Sequence, residues 1–151
     1  MPLLKSATAA FVALVLTTFT AHARANEIYT GIFSSLAVGG YDTVAYFKQG
    51  KPVPGKAEFA TEYKGATWRF ASKENLDAFK AQPTAYAPQY GGYCSWAIAQ
   101  NYTASGDPLV WKIVDGRLYL NYDRDVQAKW EKDIPGFIAS ANKNWPAALD
   151  H

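Results

Sequence analysis

Residues 58–81 read EFATEYKGATWRFASKENLDAFKA. Phe59, Thr61 and Tyr63 alternate with Glu58, Ala60 and Glu62, which predicts a strand with one face turned inward. Trp68 and Phe70 alternate in the same way with Thr67 and Arg69. Lys64-Gly65 separates the two runs, so the stretch predicts a β-hairpin. Ser72 then predicts an N-cap for a helix from Lys73 to about Ala81, with Glu74 in its first turn. Leu76 and Phe79 are that helix's apolar face, and Pro83 ends it.

The same pattern of signals returns downstream. Leu109, Trp111 and Ile113 alternate on one strand, and Leu118, Leu120 and Tyr122 on the next. Asp115-Gly116 between them is a favoured type I′ turn pair. Asp123 predicts the cap of a helix carrying Val126 and Trp130. Asp133 predicts the cap of a last helix with Pro135 in its first turn. Ile134, Phe137, Ile138, Ala141 and Trp145 form its stripe, and Pro146 stops it. Between the two units, Tyr93, Trp96, Ala97 and Gln100 recur at helical spacing behind Gly91-Gly92. Val44 to Phe47 reads as a short apolar strand or turn-like segment. Residues 26–36 read as a lead-in and residues 49–56 as a loop rich in Gly and Pro. The order predicts one compact α+β domain with two β-hairpins and about four helices. One short echo, Gly39-Gly40-Tyr41-x-Thr43-x-Ala45 against Gly91-Gly92-Tyr93-x-Ser95-x-Ala97, lacks the length and period of a repeat and reads as chance or shared turn chemistry.

Of 151 residues, 49% are hydrophobic and 19% charged, which fits a globular chain and excludes disorder. Five Trp and ten Tyr predict a core of large, partly amphipathic side chains. The single Cys excludes an internal disulfide framework and a Cys-rich zinc site within one chain.

Residues 1–25 read as a signal peptide. Lys5 precedes an apolar run from Ala7 to Leu16, and Ala21-His22-Ala23 and Ala23-Arg24-Ala25 have the small-x-small form of cleavage sites. The run is shorter than the roughly 20 apolar residues of a spanning helix. Cleavage after Ala25 would leave 126 of the 151 residues as the domain, from 26 to 151. Lys5 and Arg24 leave with the peptide, so the 15 basic residues become 13, equal to the 13 acidic ones. A neutral chain with no basic run is expected to bind neither nucleic acid nor, after cleavage, a membrane. The only Met is Met1, and the His residues are His22 and His151. The mature domain would keep His151 alone, at its very end. That argues against a Cys-His or Ser-His catalytic pair and against a His-based metal or haem site.

Cys94 is the first candidate for chemistry. It follows Gly91-Gly92 and precedes a predicted helix, where unpaired N–H groups lower a thiol pKa. The competing reading is a small buried hydrophobe beside Trp96 and Ile98. Tyr41, Asp42, Tyr90, Gly91, Gly92 and Tyr93 are candidates for a small pocket around it, with Gly91-Gly92 as an anion-binding nest. Asp42, Asp107, Asp123 and Asp125 lie in or beside predicted turns and caps, where local backbone hydrogen bonding is their default role.

The run YKGATWRFASKENLDAFKAQPTAY, from Tyr63 to Tyr86, resembles the YHS domain, a small module of metal-handling proteins related to treble-clef folds. The matching positions are Tyr63, Gly65, Trp68, Phe70, Ser72, Phe79, Pro83 and Tyr86. GYDTVAYF, YAPQYGGYCSWA and DGRLYLNY look like the exported YHS-domain (seleno)proteins of Gram-negative bacteria. The resemblance therefore implies a YHS-like core and a periplasmic location. The metal-handling pattern has Cys where this chain has Ala71 and Asn75, so its metal site does not carry over and no metal or other cofactor is expected. Some exported relatives carry selenocysteine at the position of Cys94, which implies a reactive chalcogen there.

These readings lead to three expectations for function. The first is a thiol redox protein using Cys94. It lacks a resolving Cys of its own, so an external thiol or protein partner must complete any cycle. The second is a non-catalytic binding module for a soft metal ion or small ligand, in which a homodimer sharing Cys94 would repair the poor affinity of one thiol. The third is a structural or partner-docking domain with Cys94 buried.

Overall fold

The computed structural model describes Pro2 and residues 23–151. The signal-peptide reading of residues 1–25 falls almost wholly outside the described residues. The fold is α+β, with two separate two-stranded antiparallel sheets and six α-helices among the described residues. The order is α1 (Thr43–Lys48), β1 (Lys56–Tyr63), β2 (Ala66–Phe70), α2 (Lys73–Ala81), α3 (Pro83–Tyr86), α4 (Ser95–Ala99), β3 (Asp107–Val114), β4 (Arg117–Asn121), α5 (Arg124–Trp130) and α6 (Ile134–Asn144). Short 3₁₀ turns at Ala37–Gly40 and Gln89–Gly92 precede α1 and α4. None of these helices is long and apolar enough to cross a membrane.

The hairpins form where the alternation predicts them. Lys64-Gly65 and Asp115-Gly116 both take the left-handed backbone that a type I′ turn requires. Ser72 and Asp123 cap α2 and α5 by accepting from Asn75 N and Val126 N, as their positions predict.

Val44 to Phe47 is a helix rather than a strand. Its side chains favour a strand, but the buried Asp42 carboxylate accepts from the N–H groups of Val44 and Ala45 and nucleates a helical turn. Burial of Val44, Ala45 and Tyr46 then holds it. The lead-in is also more than a tether. Ile28 is buried in the first core, Tyr29 N donates to Gly91 O, and Thr67 N donates to Ser35 O.

The glycine echo proves to be the visible part of a repeated structural unit, with each position recurring 51 or 52 residues further on. In both copies a 3₁₀ turn with three consecutive positive φ values comes first, Val38-Gly39-Gly40 and then Tyr90-Gly91-Gly92. A short helix, a hairpin and a capped helix follow in each. The hairpin registers coincide down to their irregularity. Lys56 faces Phe70 and Ala60 faces Arg69 in the first copy, as Asp107 faces Asn121 and Trp111 faces Leu120 in the second. The backbone bond from Asp42 N to Val53 O has its counterpart from Cys94 N to Ala104 O, both at 2.8 Å.

The copies share their interior. Leu118 and Leu120 of β4 enter the first core with Trp68, Phe70 and Phe79, while Tyr119 enters a second core with Trp130, Ile98 and Tyr90. β4 is therefore buried on both faces, and strict inside–outside alternation fails there. Leu109 and Tyr122, predicted to face inward with the other alternating residues, are about half exposed at the hairpin's open end.

Candidate functional site

Asp42 and Cys94 occupy the same place in the two copies. Asp42 is fully buried. Its Oδ1 accepts from Val44 N at 2.9 Å and Ala45 N at 3.2 Å. Its Oδ2 accepts from Ala71 N at 2.8 Å and from Asn75 Nδ2 at 2.7 Å. Ala71 and Asn75 are the positions where the metal-handling pattern has Cys. Here an acceptor carboxylate, a backbone donor and a side-chain amide satisfy one another in their place.

Cys94 is the N-cap residue of α4, and its residue is 1% exposed. Its thiol donates to Asn121 Oδ1, with sulfur and oxygen 3.6 Å apart. Burial pushes the thiol pKa up. The backbone N–H groups of Ala97, Tyr122 and Trp96 act in the opposite direction, and the charge of Asp123 adds to the rise. The lowered pKa expected at a helix N-terminus is thus overridden by desolvation. The Trp96 N–H is shared with Asn121 Oδ1, which lies 3.1 Å from it. Trp96, Ala97 and Tyr122 stand where Val44, Ala45 and Ala71, whose backbone N–H groups bond to Asp42, stand in the first copy. Asn121 is fully buried, and its Nδ2 has no partner. Its counterpart in the first copy is the apolar Phe70.

Cys94 borders an open hollow of about 240 Å³. Trp96, Ala97, Tyr102, Ala104, Tyr122 and Val126 complete the lining, which is almost wholly apolar. Tyr41, Asp42, Tyr90, Gly91, Gly92 and Tyr93 are not part of it. Asp42 serves the other copy. Tyr90 donates to Asn142 Oδ1 at 2.8 Å, and Tyr93 to Asn26 O at 2.7 Å. These two tyrosines secure α6 and the N-terminal segment instead of facing the thiol. Gly91 provides the acceptor for Tyr29 N at 3.0 Å and lies against the Glu27 carbonyl, where a side chain has no room. Sequence reasoning missed Asn121, Tyr122 and the Trp96–Ala97 amides. The correspondence at 51–52 residues was the available signal, because it pairs them with the residues around Asp42. Among the described residues, no group of three or more His, Cys, Asp or Glu side chains is placed to hold a metal ion.

No curated protein and no solved structure matches the chain. One family model matches, that of the YHS domain, over residues 44–90. The match begins in α1, runs through the first hairpin and α2, and stops before Cys94, so it covers the first copy from just after Asp42. Over residues 44–90 the chain is therefore similar to the YHS domain.

Proposed function

We propose that this chain is an exported, periplasmic thiol redox protein in which the second copy of the duplicated unit holds Cys94 as the reacting group. The observation that supports this reading best is the position of Cys94. Its sulfur lies at an open hollow and is acted on by three backbone N–H groups whose counterparts hold a carboxylate in the other copy. Such donors stabilise a thiolate and its oxidised forms. The same burial that raises the pKa restricts access to small reagents. Cys94 is the only Cys in the chain, so a small thiol or a protein thiol must reduce any oxidised form.

A second reading has its own support. The hollow's lining of Trp96, Tyr102, Tyr122 and Val126 also suits a small apolar ligand bound without chemistry.

Alkylation of the folded mature protein across a pH series, read by mass spectrometry, separates the two. The redox reading expects a small reagent such as iodoacetamide to label Cys94 in the native state. The rate should keep climbing above the ordinary thiol value of about 8.5, because the folded thiol holds its proton more tightly. A bulky maleimide should label only after denaturation. Cys94→Ser should keep the fold and lose all labelling. If iodoacetamide too requires denaturant, the redox reading is abandoned for the binding one.

A further inference from the structure

We propose that this chain pairs with a second copy of itself through one apolar face, on which the Ile32-Phe33 turn of each copy enters the hollow beside Cys94 of the other. The pairing uses the hollow but not the chemistry of the thiol, so it is independent of the redox reading.

The first observation is the turn. Gly31 takes a φ of +77°, and the chain reverses at Ile32-Phe33. Ile32 is 90% exposed and Phe33 fully exposed. The turn is tied down on both sides. Before it, Tyr29 N donates to Gly91 O. After it, Leu36 N donates to Ser34 Oγ and Thr67 N to Ser35 O. Two large apolar side chains are thus held out in water by an anchored backbone, an arrangement that gains stability when apolar surface covers it.

The second observation is where the other exposed apolar side chains lie. Among the described residues, the exposed large hydrophobics are Ile32, Phe33, Tyr102, Leu109 and Tyr122. Gly31 and Ser34 flank the turn's tip and line an open hollow of about 550 Å³. Pro108, the neighbour of Leu109, and Tyr122 line it too. Tyr122 and Tyr102 also line the hollow beside Cys94. The five side chains therefore gather around two adjoining hollows instead of being scattered. Taking about 200 Å² for a whole large side chain, their exposed fractions leave roughly 650 Å² in water. That exceeds the roughly 300–600 Å² of the largest apolar patch on a typical monomer. It approaches the roughly 800 Å² that each partner of a stable pair buries.

Charge and shape select the occupant. The linings of the two hollows hold a single charged residue, Asp107. From residue 26 onward the chain has 13 basic and 13 acidic residues. A partner recognised by opposite charge finds little to complement here, and a second copy meets no net repulsion. The hollow beside Cys94 measures about 240 Å³ with an almost wholly apolar lining. A cavity of about 150 Å³ already holds a benzene ring, so this one has room for the ring of Phe33. Tip and hollow share one face of one chain. A twofold axis therefore lets each copy fill the other's hollow, the self-complementary contact of a closed dimer.

Sedimentation velocity over a concentration series, on the full mature protein with a reducing agent present, tests the pairing. The parent is expected to form a dimer that dissociates on dilution. Phe33→Ser alters the tip and Tyr102→Asp alters the hollow, both at exposed positions. Each should keep the parent's circular dichroism and raise the dimer dissociation constant by at least about tenfold. Mixing the two variants should give a dimer where neither pairs alone, because each mixed pair keeps one intact tip facing one intact hollow. A parent that stays monomeric at every concentration overturns the proposal. So does a dimer that Phe33→Ser leaves unchanged, or two folded variants whose mixture gains nothing. Should Tyr102→Asp fail to fold, Phe33→Ser alone decides. Vesicles of neutral phosphatidylcholine are tested in parallel. A monomer that binds them, and loses that binding in Phe33→Ser, assigns the face to a lipid surface and overturns the pairing. None of these measurements involves oxidation, so each leaves the redox reading to the alkylation experiment.

Discussion

Replacing Asp42 by alanine removes the acceptor for four donors at once, three of them in buried bonds and that of Ala71 in a partly buried one. They are Val44 N, Ala45 N, Ala71 N and Asn75 Nδ2, at 2.9, 3.2, 2.8 and 2.7 Å. Leaving one buried donor unpaired costs about 1–3 kcal/mol. Simple addition would give about 4–12 kcal/mol, which overstates the loss, because neighbours relax and the desolvation of the carboxylate is recovered. Single substitutions rarely exceed about 4–5 kcal/mol even where they break a buried hydrogen-bond network, so about 3–5 kcal/mol is the expected range here. The total stability of a domain is about 5–15 kcal/mol, so Asp42→Ala should still fold but with little margin. In urea, with a slope near 2 kcal/mol per molar, the midpoint should fall by roughly 2 M. Asp42→Asn keeps one acceptor oxygen and should lose about half as much. Cys94→Ala removes one S–H bond and a small volume, and should lose only about 1–2 kcal/mol. Unfolding followed by tryptophan fluorescence measures all three. If Asp42→Ala lies within about 1 kcal/mol of the parent, the carboxylate does not hold α1 to the start of α2, and the comparison between the copies fails with it.

Burial raises the pKa of Tyr46, Tyr90, Tyr93, Tyr119 and Cys94. Each folded group binds its proton more tightly than in the unfolded chain. Their stabilising contribution is full below the unfolded values, about 8.5 for Cys and 10 for Tyr, and is lost as pH rises through the folded values. Ultraviolet titration should therefore show these four of the ten tyrosines ionising at higher pH than a free tyrosine, Tyr46 and Tyr90 last. Free ionisation of all ten in the native state would contradict the burial. Gly91→Ala should be among the most damaging small substitutions, at about 2–4 kcal/mol. Its φ is +63° and a Cβ would run into the Glu27 carbonyl. The Tyr29 amide should then exchange faster with deuterium. Gly50→Ala, also at positive φ but with nothing near, should cost only about 1 kcal/mol, and equal losses at the two sites would refute the packing argument.

Local chemistry made much of the fold legible. Strand alternation, the Lys64-Gly65 and Asp115-Gly116 turns, and the caps at Ser72, Asp123 and Asp133 act over a few residues. They specify the two hairpins and the helices that follow them without reference to the rest of the chain. α1 escaped because Val44 to Phe47 have strand-favouring side chains, and because the carboxylate that overrides them is anchored to Ala71 and Asn75, in an element far along the chain. The duplication escaped because its copies share backbone geometry and few side chains. Val38 answers Tyr90, Phe79 answers Trp130, Phe70 answers Asn121, and Asp42 answers Cys94. Only the glycines, which positive φ favours in both 3₁₀ turns, and the few residues just after them, Tyr41 and Tyr93, Thr43 and Ser95, Ala45 and Ala97, remained alike enough to see.

Sequence alone therefore determined the class of the fold, the YHS resemblance that the family match supports over residues 44–90, and Cys94 as the one thiol. It could not determine what surrounds that thiol. Its burial and the bond from its Sγ to Asn121 Oδ1 depend on β4 and the start of α5 closing against α4. Desolvation and hydrogen bonding are set by atoms that meet only in space, so the balance between a packed sulfur and a reactive one is decided by the tertiary structure.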